Sequence, residues 1–180
     1  MEYGILGQRD ARWAGHLLGN SGESTIGGWG CLLVSFAMLT GADVLALNEW
    51  LKAHGGYQAE PRGGYAASFD VAGFNPAVKM RNVVTDYLNV RVPDAKLAAL
   101  MQAISPSRPH ILMVDHIPGV PNVKTHFMLA IDVSRNGQIV ILDPWFGDIA
   151  SFNRYGLDYG VSICEWIEYA KGTSSEVSRG

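Results

Sequence analysis

One residue constrains this chain more than any other: Cys31 stands where a run of small residues meets a long apolar stretch. Thr25-Ile26-Gly27-Gly28-Trp29-Gly30-Cys31-Leu32-Leu33-Val34-Ser35-Phe36-Ala37-Met38-Leu39 reads as a glycine-rich turn feeding a helix. Because Cys31 to Leu39 is apolar on nearly every side, that helix is predicted to be central and enclosed by the rest of the fold. Gly41 supplies a C-terminal stop. A thiol at a helix N-terminus meets unpaired backbone N–H groups and the positive end of the helix dipole, and both favour the reactive thiolate.

The chain around Cys31 can build such an enclosure. It has 180 residues, 48% of them hydrophobic and 17% charged, which fits one well-packed domain. We expect a single domain over 1–172 and a polar tail over 173–180. The formal net charge of -3 gives no basis for nucleic acid or an anionic membrane as partner. Apolar runs such as Leu32 to Leu39 and Ile111 to Val114 fall well short of the ~20 residues that cross a bilayer. Met1-Glu2-Tyr3-Gly4 lacks the basic-then-apolar pattern of a secretory signal, so a cytoplasmic site of synthesis is expected. The two cysteines, Cys31 and Cys164, exclude a disulfide framework but allow one bridge. Without an export signal reduced thiols are expected, and a Cys31–Cys164 bridge would abolish any nucleophilic role for Cys31.

Helical patterns fill the first part of the chain. The first 30 residues are rich in glycine, serine and asparagine and are predicted as loop, anchored by Trp13 and Leu17-Leu18. Asp43 is placed to cap a second helix that buries Leu47, Trp50 and Leu51 and ends at Gly55-Gly56. Residues 56–74 have no clean period and are expected to form a long surface loop near the active cleft. Asn75-Pro76 predicts the start of a third helix over Val78 to Leu88. Asp94 is expected to cap a fourth, with Leu97, Leu100, Met101 and Ile104 at helical spacing. Beyond Pro109 the pattern turns to strands: Ile111 to Val114, Phe127 to Val133, Gln138 to Leu142, and Val161 to Tyr169. Arg135-Asn136-Gly137 marks a hairpin between the second and third of these. Helices first and antiparallel strands second is the α+β order.

A cysteine nucleophile needs a base, and the base needs an orienter. His126 opens the strand Thr125-His126-Phe127-Met128-Leu129-Ala130-Ile131, and Asp143 closes the next one in Leu142-Asp143-Pro144-Trp145-Phe146-Gly147. The hairpin makes these strands neighbours, so the start of one lies beside the end of the other. That register, not the spacing alone, predicts a contact between the imidazole and the carboxylate. An oxyanion would be stabilised by the Cys31 backbone N–H and a side-chain amide, for which Gln8 is the candidate. Trp29, Gly30 and Trp145 are placed to contact substrate.

Gln8-Arg9-Asp10-Ala11-Arg12-Trp13-Ala14, Leu18-Gly19-Asn20-Ser21, Thr25-Ile26-Gly27, Gly30-Cys31 with Ser35 and Ala37-Met38, His126-Phe127 and Asp143-Pro144-Trp145-Phe146-Gly147 together resemble the C39-like peptidases. These are bacterial and phage members of the papain-like cysteine peptidase superfamily, related to the double-glycine leader peptidases. The resemblance runs from about Gln8 to Gly147. It implies a papain-like fold, with a helical part carrying the nucleophile packed on an antiparallel sheet. It also implies Cys31 as nucleophile, His126 as general base and acid, Asp143 as orienter and Gln8 as oxyanion donor. Leu32-Leu33 depart from the leader peptidases, which tend to have a small residue after the cysteine.

Plainer readings stand beside these. Cys31 alone reads equally as a buried structural thiol, His126 as a strand-end histidine, and Asp143-Pro144 as a turn. Cys164, in Ser162-Ile163-Cys164-Glu165-Trp166, reads as structural, and His16 and His54 as surface residues. Trp29, Tyr57, Tyr65, Trp145 and Phe146 are candidates to line a cleft, with Tyr57 and Tyr65 better taken as anchors. His110, Asp115 and His116 lack metal-ligand spacing, and neither Gly27-Gly28 nor Gly63-Gly64 is followed by the Lys-Ser/Thr of a phosphate loop. No metal and no cofactor are expected. The expected activity is hydrolysis of peptide or amide bonds through an acyl-enzyme, on a peptide or protein substrate. The alternatives are a cell-wall peptide amidase or endopeptidase acting on peptidoglycan peptides with the same triad, and a catalytically silent binding protein on this fold.

Overall fold

Apolar and β-branched runs in the second half of the chain pair into one sheet, and the helices pack over it. In the computed structural model, which describes residues 3–59, 62–116 and 125–172, the helices are α1 (Ile26–Trp29), α2 (Cys31–Thr40), α3 (Val44–Ala53), α4 (Asp94–Ala103) and α5 (Tyr159–Ser162). The strands are β1 (Val78–Val84), β2 (His110–Asp115), β3 (Thr125–Val133), β4 (Ile139–Asp143), β5 (Asp148–Ser151) and β6 (Ile163–Lys171). They form a six-stranded antiparallel sheet in the order β1-β6-β2-β3-β4-β5. The architecture is therefore α+β. The expected tail over 173–180 lies outside the described residues.

Both faces of the sheet are covered, which explains why β2 and β4 read as nearly unbroken apolar runs. Ile111, Leu129, Leu142, Ile167 and Tyr169 pack with Leu33, Val34, Phe36 and Leu47 of α2 and α3. The alternate residues Leu112, Met128, Ala130, Ile141 and Trp166 pack with Leu100 and Ile104 at α4 and with Phe152 and Tyr159. From Leu33 to Thr40 every residue of α2 is buried, as its all-round apolarity predicts. Among the described residues no single helix is long and apolar enough to cross a membrane.

Most of the expected elements form where the pattern puts them. Gly41 ends α2 at φ 73, and Asp43 caps α3 by accepting from the Ala46 N–H at 2.9 Å. The hairpin turns at Gly137, φ 75. Trp13 and Leu18 are buried anchors, but Leu17 is exposed. The expected helix over Val78 to Leu88 is corrected: this segment supplies edge strand β1, paired along its length with β6. Asn75 does not cap a helix there. Its Nδ2 donates to the Thr40 carbonyl at 2.8 Å and its Oδ1 accepts from the Ala77 N–H at 3.1 Å, which ties a turn to the end of α2. A local start signal such as Asn75-Pro76 is overridden by backbone pairing with a buried neighbour strand.

Gly30 both ends α1 and caps α2. A Cβ there would sit 2.5 Å from the Ile26 carbonyl oxygen and 2.7 Å from Ile26 Cγ2. Gly30→Ala is therefore expected to lose about 1–3 kcal/mol of unfolding free energy in urea titration, through forced displacement of a packed turn. Native stability in that variant would contradict the close packing described.

Candidate active site

The β3–β4 hairpin brings the start of β3 beside the end of β4, as its register requires. Leu129 pairs with Leu142, and His126 and Asp143 lie beyond this pair at the same end of the two strands. His126 Nε2 and Asp143 Oδ1 are 3.0 Å apart, with both side chains buried. An ionised carboxylate only accepts, so Nε2 carries the hydrogen and donates it. That leaves Nδ1 for a second partner, and the Cys31 thiol lies close enough to the ring to raise the His126 imidazole. Cys31 itself is partly exposed at the first position of α2.

The electrostatics are those of a coupled buried site. Burial by itself would raise the Asp143 carboxyl, but the donors His126, Tyr155 and Arg154 outweigh it and lower it to about 2. Burial by itself would lower His126, but its hydrogen bonds and charge interactions with Asp143 and Cys31 outweigh that and raise it to about 9. Such opposite displacement of two partners favours an imidazolium clamped to a carboxylate.

Gln8 reaches the site from the N-terminal segment, which runs as a strap across the turn after β4. The Gln8 N–H donates to the Pro144 carbonyl at 2.7 Å, and Gly7 packs against Gly147 so closely that a Cβ would lie 3.2 Å from Gly147 Cα. Trp13 Nε1 donates back to the Gly7 carbonyl at 2.9 Å and holds the strap from inside. The Gln8 side chain is 1% exposed, and Nε2 donates to the Gly27 carbonyl at 3.1 Å in the turn leading to Cys31. Its second amide hydrogen has no acceptor among the described residues, and its Oε1 has no partner there either. Gln8 is thus a buried, half-used amide fixed at the turn that leads into α2.

The expected substrate contacts are placed as follows. Trp29 is 67% exposed at the end of α1, and Trp145 is 36% exposed, with the Arg9 guanidinium 3.5 Å above its ring centre. Gly30 is buried in the packed turn, so it shapes the backbone and presents no contact surface. A shallow apolar dimple lies along the first turns of α2, lined by Trp29, Leu32, Leu33 and Phe36. Gly56, Tyr57, Gly64 and Ala66 of the irregular 56–74 segment form its other wall. Tyr57 is also an anchor, its hydroxyl donating to Asn48 Oδ1 at 2.9 Å, while Tyr65 is exposed.

Both cysteines are free, and Cys164 is buried in β6 with its thiol raised by burial. Among the described residues no group of three or more His, Cys, Asp or Glu could hold a metal ion. Two residues that sequence reasoning did not single out join the site. Arg154 and Tyr155 both donate to Asp143 Oδ2, at 2.9 and 2.6 Å. A buried carboxylate needs such donors, but nothing in the spacing of Asn153-Arg154-Tyr155 says which residues supply them. No family model matches the chain, and no curated protein matches it.

The shift at Asp143 carries a sign. A carboxyl lower in the folded state contributes stability that is complete above ~4, its unfolded value, and is lost as pH falls toward 2. His126 works the other way, its contribution complete below ~6.5 and lost as pH rises toward 9. Unfolding free energy of the native protein is expected to fall by about 2 kcal/mol more than that of Asp143→Asn between pH 4 and pH 2. Parallel pH profiles would contradict the ion pair.

Proposed function

We propose that this chain is a cysteine peptidase of papain-like fold, similar to the C39-like family, hydrolysing peptide or amide bonds by way of an acyl-enzyme. The observation that carries this reading is a single imidazole bonded to a buried carboxylate and close to the Cys31 thiol at the start of α2. Cys31 attacks the carbonyl carbon, and His126 holds the thiol proton and returns it to the leaving amine. Asp143 orients the ring and stabilises the imidazolium. Water, activated by the same imidazole, then releases the acyl group. The Cys31 backbone N–H and the unused Gln8 Nε2 hydrogen stabilise the oxyanion in both steps. The exposed rings of Trp29 and Trp145 offer apolar surface to a peptide substrate.

The test is hydrolysis of unfolded protein substrates and of purified peptidoglycan by the native chain and its variants. Cys31→Ala and His126→Ala are each expected to lose about 10³-fold or more in kcat, with little further loss when combined. Gln8→Ala is expected to lose about 10²- to 10³-fold. Cleavage that survives in Cys31→Ala would overturn the proposal. Product release from peptidoglycan alone would narrow the substrate to cell-wall peptides, and from protein alone to polypeptides.

A further inference from the structure

Asp143 is 0% exposed, and His126 takes up only part of what its carboxylate can accept. Oδ1 also accepts from the Trp145 backbone N–H at 3.0 Å, so that oxygen is held by the turn that follows it. Oδ2 accepts from the Tyr155 hydroxyl at 2.6 Å and from an Arg154 guanidinium nitrogen at 2.9 Å. Four donors on two oxygens fix the plane of the carboxylate, because a rotation that served one would break the others.

These last two donors come from one element, the 3₁₀ turn Phe152–Tyr155, and that element is itself held. Phe152 is fully buried, its ring meets those of Tyr155 and Tyr159, and Ser162 Oγ donates to the Tyr155 carbonyl at 3.0 Å. Gly156, at φ 128, ends the turn where a Cβ would meet Ser162 Oγ at 2.9 Å. Arg154 is pinned by two bonds to Asp148, at 2.8 and 2.7 Å, and lies over the Phe146 ring. The Tyr155 ring also stands 5.5 Å from that of His126. A packed turn thus delivers two rigid donors to one carboxylate oxygen.

We infer that Arg154 and Tyr155 are positioning residues, which orient the Asp143 carboxylate toward His126 and thereby keep the imidazole aligned with Cys31. This rests on the reading of Cys31, His126 and Asp143 as a catalytic triad. The titratable and charged groups facing the cluster are His126 from β3, Cys31 from α2, Asp148 from β5, and Arg154 and Tyr155 from the turn; the His116 ring lies 6.5 Å from that of His126. Each donor to the ionised form keeps Asp143 charged in acid. Losing one therefore moves its titration upward.

The experiment is a carbon-13 NMR titration of the Asp143 carboxyl in the full chain under reducing conditions, which needs no substrate and so reports even if no peptide is cleaved. The native protein is expected to titrate near 2. Tyr155→Phe removes one oxygen only and is expected to raise the midpoint by about one pH unit. Arg154→Gln is expected to do the same, and Arg154→Lys to recover part of the difference. A merely structural role would lower the melting temperature without moving the midpoint. An unchanged midpoint in Tyr155→Phe would overturn the inference. A moved midpoint in a chain that hydrolyses nothing would leave the positioning role standing and count against the peptidase reading instead.

Discussion

The hydrogen bond from His126 Nε2 to Asp143 Oδ1 joins the two strands of the β3–β4 hairpin at their open end, and the site is arranged around it. It exists because the hairpin register sets the first turn of one strand beside the last residue of the other. It lasts because Asp143 is buried away from water, where a charged acceptor must be fully bonded or not charged at all. Trp145, Arg154 and Tyr155 supply further donors to that carboxylate, and another element presents a partner to the other side of the imidazole. Helix α2 does the latter, resting its buried face on β3 and leaving its first residue, Cys31, at the rim.

The N-terminal strap links these two halves. Backbone bonding of Gln8 to Pro144 and the contact of Gly7 with Gly147 tie it to the turn after β4, while the Gln8 side chain crosses to the turn before α2. One residue thus spans the helical and sheet parts at the point where an oxyanion would form. Gly30 leaves no room for a Cβ against Ile26, Gly147 turns at φ 65, and a Cβ on Gly7 would press at 3.2 Å on the Gly147 backbone.

Much of this was legible in the sequence for physical reasons that can be named. The all-round apolarity of Leu32 to Leu39 required an enclosed helix, and Asn136-Gly137 required a hairpin whose register set His126 beside Asp143; the place of Cys31 against that pair was an expectation from the family resemblance. What escaped were features decided by tertiary pairing. Asn75-Pro76 suggested a helix start before Val78, but Val78 to Val84 pairs with the edge of β6 instead. Strand β5 is only four residues long and lies directly after a tight turn. Arg154 and Tyr155 were not singled out, since nothing local reveals that a buried carboxylate lies within reach. Gln8 stood between these cases: its neighbours marked the segment, yet only burial and the bond to Gly27 distinguish it from a solvated glutamine.

The account stands or falls on whether Cys31 is held as an activated thiolate by His126. The most direct measurement is the rate of Cys31 alkylation by iodoacetamide against pH, followed by intact-mass spectrometry with buried Cys164 as internal control. The account predicts rapid modification of Cys31, slowed at least tenfold by His126→Ala, with Cys164 unreacted. Slow modification of Cys31 that is indifferent to His126 would contradict it.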